Sequence, residues 1–128
     1  MKINIPASIG ELFDKITILE IKKSKIKDEN KLIFINKELN LLKKVVKSKK
    51  INTRSLSSLV KKLKNVNLKL WNVEDKLRKF EKNKQFSKDF INYARKVYYT
   101  NDKRAILKNE INLKTNSTIS EVKSYEKY

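Results

Sequence analysis

Phe90, Ala94 and Val97 share one stripe of a helix, and the same stripe runs on through Asn101, Arg104 and Lys108 before it returns to Ile111. An apolar face that turns polar halfway along either closes on carboxylates or opens toward a ligand. The same spacing sets Glu20 among Ile9, Phe13 and Ile16, and Glu74 and Arg78 at the edge of an apolar stripe that includes Leu70, Val73 and Leu77. An unpaired buried charge is strongly unfavourable, so an inward Glu20 and Glu74 require partners, and Arg78, Arg104 and Lys108 are available.

Only 4 of the 32 basic residues are Arg, yet Arg78, Arg95 and Arg104 fall in this neighbourhood, with Tyr98, Asn101 and Asp102 beside them. The planar guanidinium grips a carboxylate or phosphate through two parallel bonds, which the Lys ammonium cannot do. The spacing therefore predicts a site for a small anionic, phosphorylated ligand between helices 1, 3 and 4. In it Arg78, Arg104 and Lys108 contact the anion, Asn101 orients it, and Glu20 and Glu74 hold the basic groups. The competing reading is a structural network in which the same charges satisfy one another and set helix register.

Other chemistries are excluded by residue type. With no His and no Cys there is no imidazole base, thiolate, disulfide or cysteine metal site. One Gly cannot build a P-loop or a dinucleotide fingerprint. Any acid or base must be Asp, Glu, Lys or Tyr, and Glu20 on an apolar face is the best candidate for a raised pKa. Glu11-x-x-Asp14, with Glu74, Asp75 and Glu81, resembles the paired acidic helices that hold Mg²⁺ in helical nucleotide hydrolases. The second Glu-x-x-Asp is missing, however, and Lys15 and Arg78 compete for the carboxylates at ordinary ion-pair spacing. The expectation is a binding module rather than an enzyme, with no catalytic residue, metal or cofactor.

The formal net charge is +18, and residues 39–73 hold ten basic residues and no acid. If helices 2 and 3 form a hairpin, its tip gathers Lys47, Lys49, Lys50, Arg54, Lys61, Lys62 and Lys64 into a surface for nucleic acid phosphates. No aromatic precedes Trp71 in this stretch and no recognition motif appears, so such binding would be non-specific. Lys, Ile and Asn make 56 of the 128 residues, which equally suits a merely solvated basic face. A third reading is a helical adaptor for a protein partner, using any part of the helix 3 stripe that the core leaves uncovered. The sequence sets no oligomeric state.

Four helices must position these groups, at about residues 9–27, 31–48, 55–82 and 88–112. Ser8-x-x-Glu11 has the form of a capping box, Asp28-Glu29-Asn30 supplies a turn and a cap before the second helix, and Ser87 caps the fourth with Phe86 and Ile91 as a hydrophobic staple. The third carries Leu56, Leu59, Leu63, Val66, Leu70, Val73, Leu77 and Phe80 in a heptad-like run. Helix 1 is apolar over most of its circumference and should be the most buried. The fold class is all-α: a single-domain four-helix bundle of two long antiparallel hairpins, 1 with 2 and 3 with 4. A short extended N-terminus precedes it and a polar C-terminal tail follows. The longest apolar run is four residues and no signal-peptide core opens the chain, so a cytoplasmic protein without a membrane partner is expected.

Three segments carry a family resemblance: residues 11–22 (ELFDKITILEIK), 70–75 (LWNVED) and 94–105 (ARKVYYTNDKRA). The likeness continues through residues 108–112 and Lys123-Ser124-Tyr125, and is weakest at about residues 43–64. The chain resembles a small bacterial and phage family catalogued as a domain of unknown function. The resemblance implies a compact helical fold and a cytoplasmic setting, and it brings no activity, cofactor or catalytic residue.

Overall fold

A computed structural model describes residues 1–128 and contains four helices and no strand. They are α1 (Ile9–Lys25), α2 (Glu29–Ser48), α3 (Thr53–Lys82) and α4 (Lys88–Lys114). The second and third begin two residues earlier than their spacing predicts, because the caps lie earlier. Asp28 accepts from the amides of Asn30 and Lys31, and Asn52 accepts from Ser55. Ser8 accepts from the Glu11 amide at 3.0 Å, but the Glu11 carboxylate turns away to Lys108, so only half of the capping box forms. Ser87 occupies the fourth cap without a side-chain bond. The staple shifts by one residue, since Phe86 packs edge-on against Phe90 while Ile91 stays exposed.

Three helices end on a left-handed residue, Lys50, Lys84 and Asn116, each at φ 53°. The amide after each one reaches back to a carbonyl of the last helical turn: Ile51 to Val46, Gln85 to Phe80 and Ser117 to Asn112. Glycine is the usual residue at such ends, and none stands there. The single glycine is Gly10 in α1, packed so closely on α4 that a Cβ would overlap the Lys108 carbonyl oxygen.

Helix α1 is the hub. Seven of its 17 residues are buried, and it packs against all three other helices. Phe13, Ile16 and Leu19 meet Ile35 and Leu39 of α2, Leu56 and Leu63 of α3, and Ile111 of α4 in one core. A second stripe, Gly10, Asp14, Thr17 and Ile21, is also buried, and its polar members bond to α3 and α4. Helices α3 and α4 lie along one another, with Phe80 against Phe90 and Tyr93 near their connection.

Two expectations change. Backbone approach links α2 to α1 alone, so helices 2 and 3 make no packed hairpin with a basic tip. The α3 stripe is consumed by its neighbours, and exposed apolar side chains lie instead on α2, at Ile33, Phe34, Leu41 and Val45, on α4, at Ile91, Ile106 and Leu113 among others, and in the terminal segments. The C-terminal segment folds back onto α4: Glu121 and Asn109 exchange two hydrogen bonds, and the Tyr128 hydroxyl donates to Asp102. No helix is long and apolar enough to cross a membrane.

Candidate functional site

The second stripe of α1 brings Asp14, with 1% of its side chain exposed, between α3 and α4. Arg104 binds it through two bonds, Nε at 2.8 Å and Nη2 at 2.5 Å, and Asn67 of α3 donates to it at 3.0 Å. The Asn67 amide also donates to the Thr17 hydroxyl, which in turn donates to the Asp14 carbonyl. Lys108, 5% exposed, sits behind with its ammonium 2.7 Å from Glu11, 2.9 Å from Glu121 and 3.9 Å from Asp14. Burial pushes the Asp14 carboxyl up, but the bonds from Arg104 and Asn67 and the nearby positive charges outweigh it and hold the pKa below the usual carboxylate range. The bond to Asp14 raises the Arg104 pKa against the opposing effect of burial. Burial lowers that of Lys108, but the bonds to Glu11 and Glu121 together with the attraction of Asp14 and Glu11 outweigh it and leave the pKa raised.

The first amides of α1 have partners as well. Ile9 donates to Ser117, Gly10 to the Asn112 side chain at 2.7 Å and Glu11 to Ser8. This helix start is therefore closed to an anion.

Beside the network the same three helices leave an open cavity of about 590 Å³. Ile18 and Ile21 of α1 form its floor with Leu70. Trp71, Glu74, Asp75 and Arg78 line one stripe of α3, and Asn101 and Arg104 reach in from α4. Glu74 and Arg78 stand 4.0 Å apart, and Asp75 pairs with Lys79 at 3.5 Å, all four side chains more than half exposed. Arg104 joins the two zones. Two of its nitrogens are bound to Asp14, a third contacts Asn101 at 3.4 Å, and about a quarter of the side chain is exposed.

Of the residues that spacing selects, Glu74, Arg78, Asn101 and Arg104 converge on this cavity. Tyr98 and Asp102 line a smaller recess next to it, shared at Asn101. Lys108 is buried in the network. Arg95 lies outside both, exposed and stacked over the Tyr99 ring at 5.8 Å. Glu20 faces another side of α1, where it pairs with Lys64 at 3.3 Å beside a groove lined by Lys43, Lys47 and Lys50. It has none of the partners expected for it, and Glu74 is exposed rather than inward. Glu11 and Lys15 do not pair with each other, since Glu11 goes to Lys108 and Lys15 to Glu38. Glu11, Asp14 and Glu121 gather round the Lys108 ammonium, and no group of three acidic side chains is placed to hold a metal ion.

Asp14 and Asn67 are the central residues that spacing did not select as inward. Both were visible in principle: Asp14 lies one turn from Gly10 and from Ile18, and Asn67 lies between Leu63 and Leu70 on the α3 stripe. A count restricted to apolar residues passes over them. The family model described as a family of unknown function (DUF6165) matches residues 1–128, including the Lys-rich stretch where the motif likeness is weakest. No curated protein and no solved structure matches the chain.

Proposed function

Since the chain belongs to this family of unknown function (DUF6165), its role has to be read from its own geometry, and we propose that it is a helical binding module. The cavity between α1, α3 and α4 holds a small anionic, phosphorylated ligand, in a binding rather than a catalytic role and in a cytoplasmic setting. The observation that carries this is Arg104, locked from behind by buried Asp14, held by Asn101 only through a long contact of 3.4 Å, and with about a quarter of its side chain exposed where it lines the cavity. A donor fixed before the ligand arrives loses little freedom on binding. Arg78, held only by an exposed pair with Glu74, can turn to the ligand, and Trp71 offers a flat face. Antiparallel pairing of helices 1 with 2 and 3 with 4 fits the connections of three to five residues.

Thermal denaturation against a panel of phosphorylated metabolites tests the reading. At least one should raise the melting temperature, and Arg78→Ala should abolish that rise while melting normally alone. Stabilisation by none, or an undiminished rise in the variant, overturns it.

A second reading is phosphate-led, non-specific nucleic acid binding near the α2–α3 connection. It is supported by Lys43, Lys47 and Lys50, which line one groove and make no ion pair. Duplex binding that weakens steeply with salt and falls when Lys47, Lys49 and Lys50 are neutralised would support it; indifference to those changes would remove it. An adaptor role would use the exposed α2 side chains Phe34, Leu41 and Val45 in place of α3.

A further inference from the structure

A second recess opens on the other side of Asn101, between α4 and the returning C-terminal segment. Its volume is about 370 Å³, and Tyr98, Asp102, Lys123, Tyr125, Glu126 and Tyr128 wall it. Tyr128 is held there by its bond to Asp102 and by edge-on contacts with the Tyr98 and Tyr99 rings, at centroid distances of 5.4 and 4.7 Å. Upstream, Glu121 ties the segment to Asn109 and Lys108. Asn101 borders both recesses, and Arg104 touches Asn101 from the first.

The two recesses ask for different chemistry. The larger has Arg78 and Arg104 for an anion, but also Glu74 and Asp75, which repel a bare polyanion and accept from hydroxyl or amino groups. A phosphate alone would leave most of 590 Å³ unfilled. The smaller is lined by three tyrosines with two carboxylates among them, chemistry suited to a flat ring whose edge carries N–H donors, which would displace the Lys123 ammonium from over the Tyr125 ring. A molecule with an anionic end, a hydroxyl-bearing middle and a flat nitrogenous ring answers both.

We propose that the two recesses form one continuous site for a nucleoside monophosphate. Its phosphate lies at Arg78 and Arg104, its sugar hydroxyls beside Asn101, Glu74 and Asp75, and its base among Tyr98, Tyr125 and Tyr128. This rests on the anion-binding reading above and adds the class of ligand and the role of the C-terminal segment.

Calorimetric titrations of the full chain with inorganic phosphate, ribose 5-phosphate and the four common ribonucleoside monophosphates separate the two claims. At least one nucleotide should bind roughly tenfold or more tighter than ribose 5-phosphate, as expected for one stacked base. The double substitution Tyr125→Ala with Tyr128→Ala should bring that nucleotide down to the ribose 5-phosphate level and leave ribose 5-phosphate unchanged. Both tyrosines are exposed and lie outside the helices, so the variant keeps its helical circular dichroism. Arg78→Ala should weaken both ligands. Equal binding of nucleotide and ribose 5-phosphate, or a tyrosine variant that loses neither or both, overturns the nucleotide site while the anion site stands. If no phosphate-bearing probe binds, both fall.

Discussion

At Asp14 a carboxylate shut away from water takes two bonds from Arg104 and one from Asn67. Further along α3, Glu74 and Asp75 meet Arg78 and Lys79 one turn on, at 4.0 and 3.5 Å, with most of each side chain in solvent. The residue types match, but the depth and the number of bonds differ. An exposed pair is worth between about 0 and 1 kcal/mol, whereas breaking a buried one by removing a partner costs about 3–5 kcal/mol. A ligand can therefore draw Arg78 from Glu74 at little cost but cannot draw Arg104 from Asp14. One end of the contact builds the fold, and the other is free to exchange partners.

The largest test of this contrast is Asp14→Ala, which strands Arg104 and Asn67. A loss of about 3–5 kcal/mol in urea unfolding is expected, a large share of the roughly 5–15 kcal/mol that holds a domain together. A loss below about 1 kcal/mol would erase the difference between the two ends. Gly10→Ala drives a methyl group into the Lys108 carbonyl and should cost about 1–3 kcal/mol by the same measurement.

Acid titration comes next. The Asp14 pKa is lowered in the folded chain, so its contribution is complete above the unfolded value of about 3.9 and disappears as pH falls through the folded value. The melting temperature should drop on acidification below about pH 4, and Asp14→Asn should flatten that part of the slope. Lys108, with a raised pKa, acts in the opposite sense: its contribution is complete below about pH 10.5 and is lost as pH rises further. Smallest of all, Arg78→Ala should change stability by less than about 0.5 kcal/mol while removing ligand-induced stabilisation. A larger loss of stability would make the open end structural too.

The helices were legible because their caps and periodicities agree. Asp28 and Asn52 stand one turn ahead of the first apolar residues, Leu32 and Leu56, which is why the spacing set both starts only two residues late, and Leu56 through Val73 keep one face of α3. The polar half of α4 was legible for the same reason: Phe90 and Val97 fix the face, and Asn101, Arg104 and Lys108 follow it. The buried acid was misplaced because α1 uses two faces. One is apolar and meets the common core; the other holds Gly10, Asp14 and Thr17 ahead of Ile21, and the burial of its polar groups rests on hydrogen bonds that hydrophobic patterning does not register. The C-terminal segment was hidden similarly. Its attachment depends on Glu121 finding Asn109 and Lys108, a pairing of single polar groups without a period. The peripheral place of α2 was not legible because its apolar repeat says that one face is covered, not by how many neighbours.

The lone glycine separates two kinds of substitution tolerance. The backbone asks for glycine at four places, three helix ends at φ 53° and the crossing of α1 over α4. At the ends Lys50, Lys84 and Asn116 serve, at a cost of roughly 1–2 kcal/mol each in conformational energy, or less for Asn, which the closing bonds help to offset. At position 10 the demand is an overlap with a backbone atom that no alternative rotamer relieves, so a side chain at the helix ends strains one dihedral, whereas a side chain at the crossing has to move a helix.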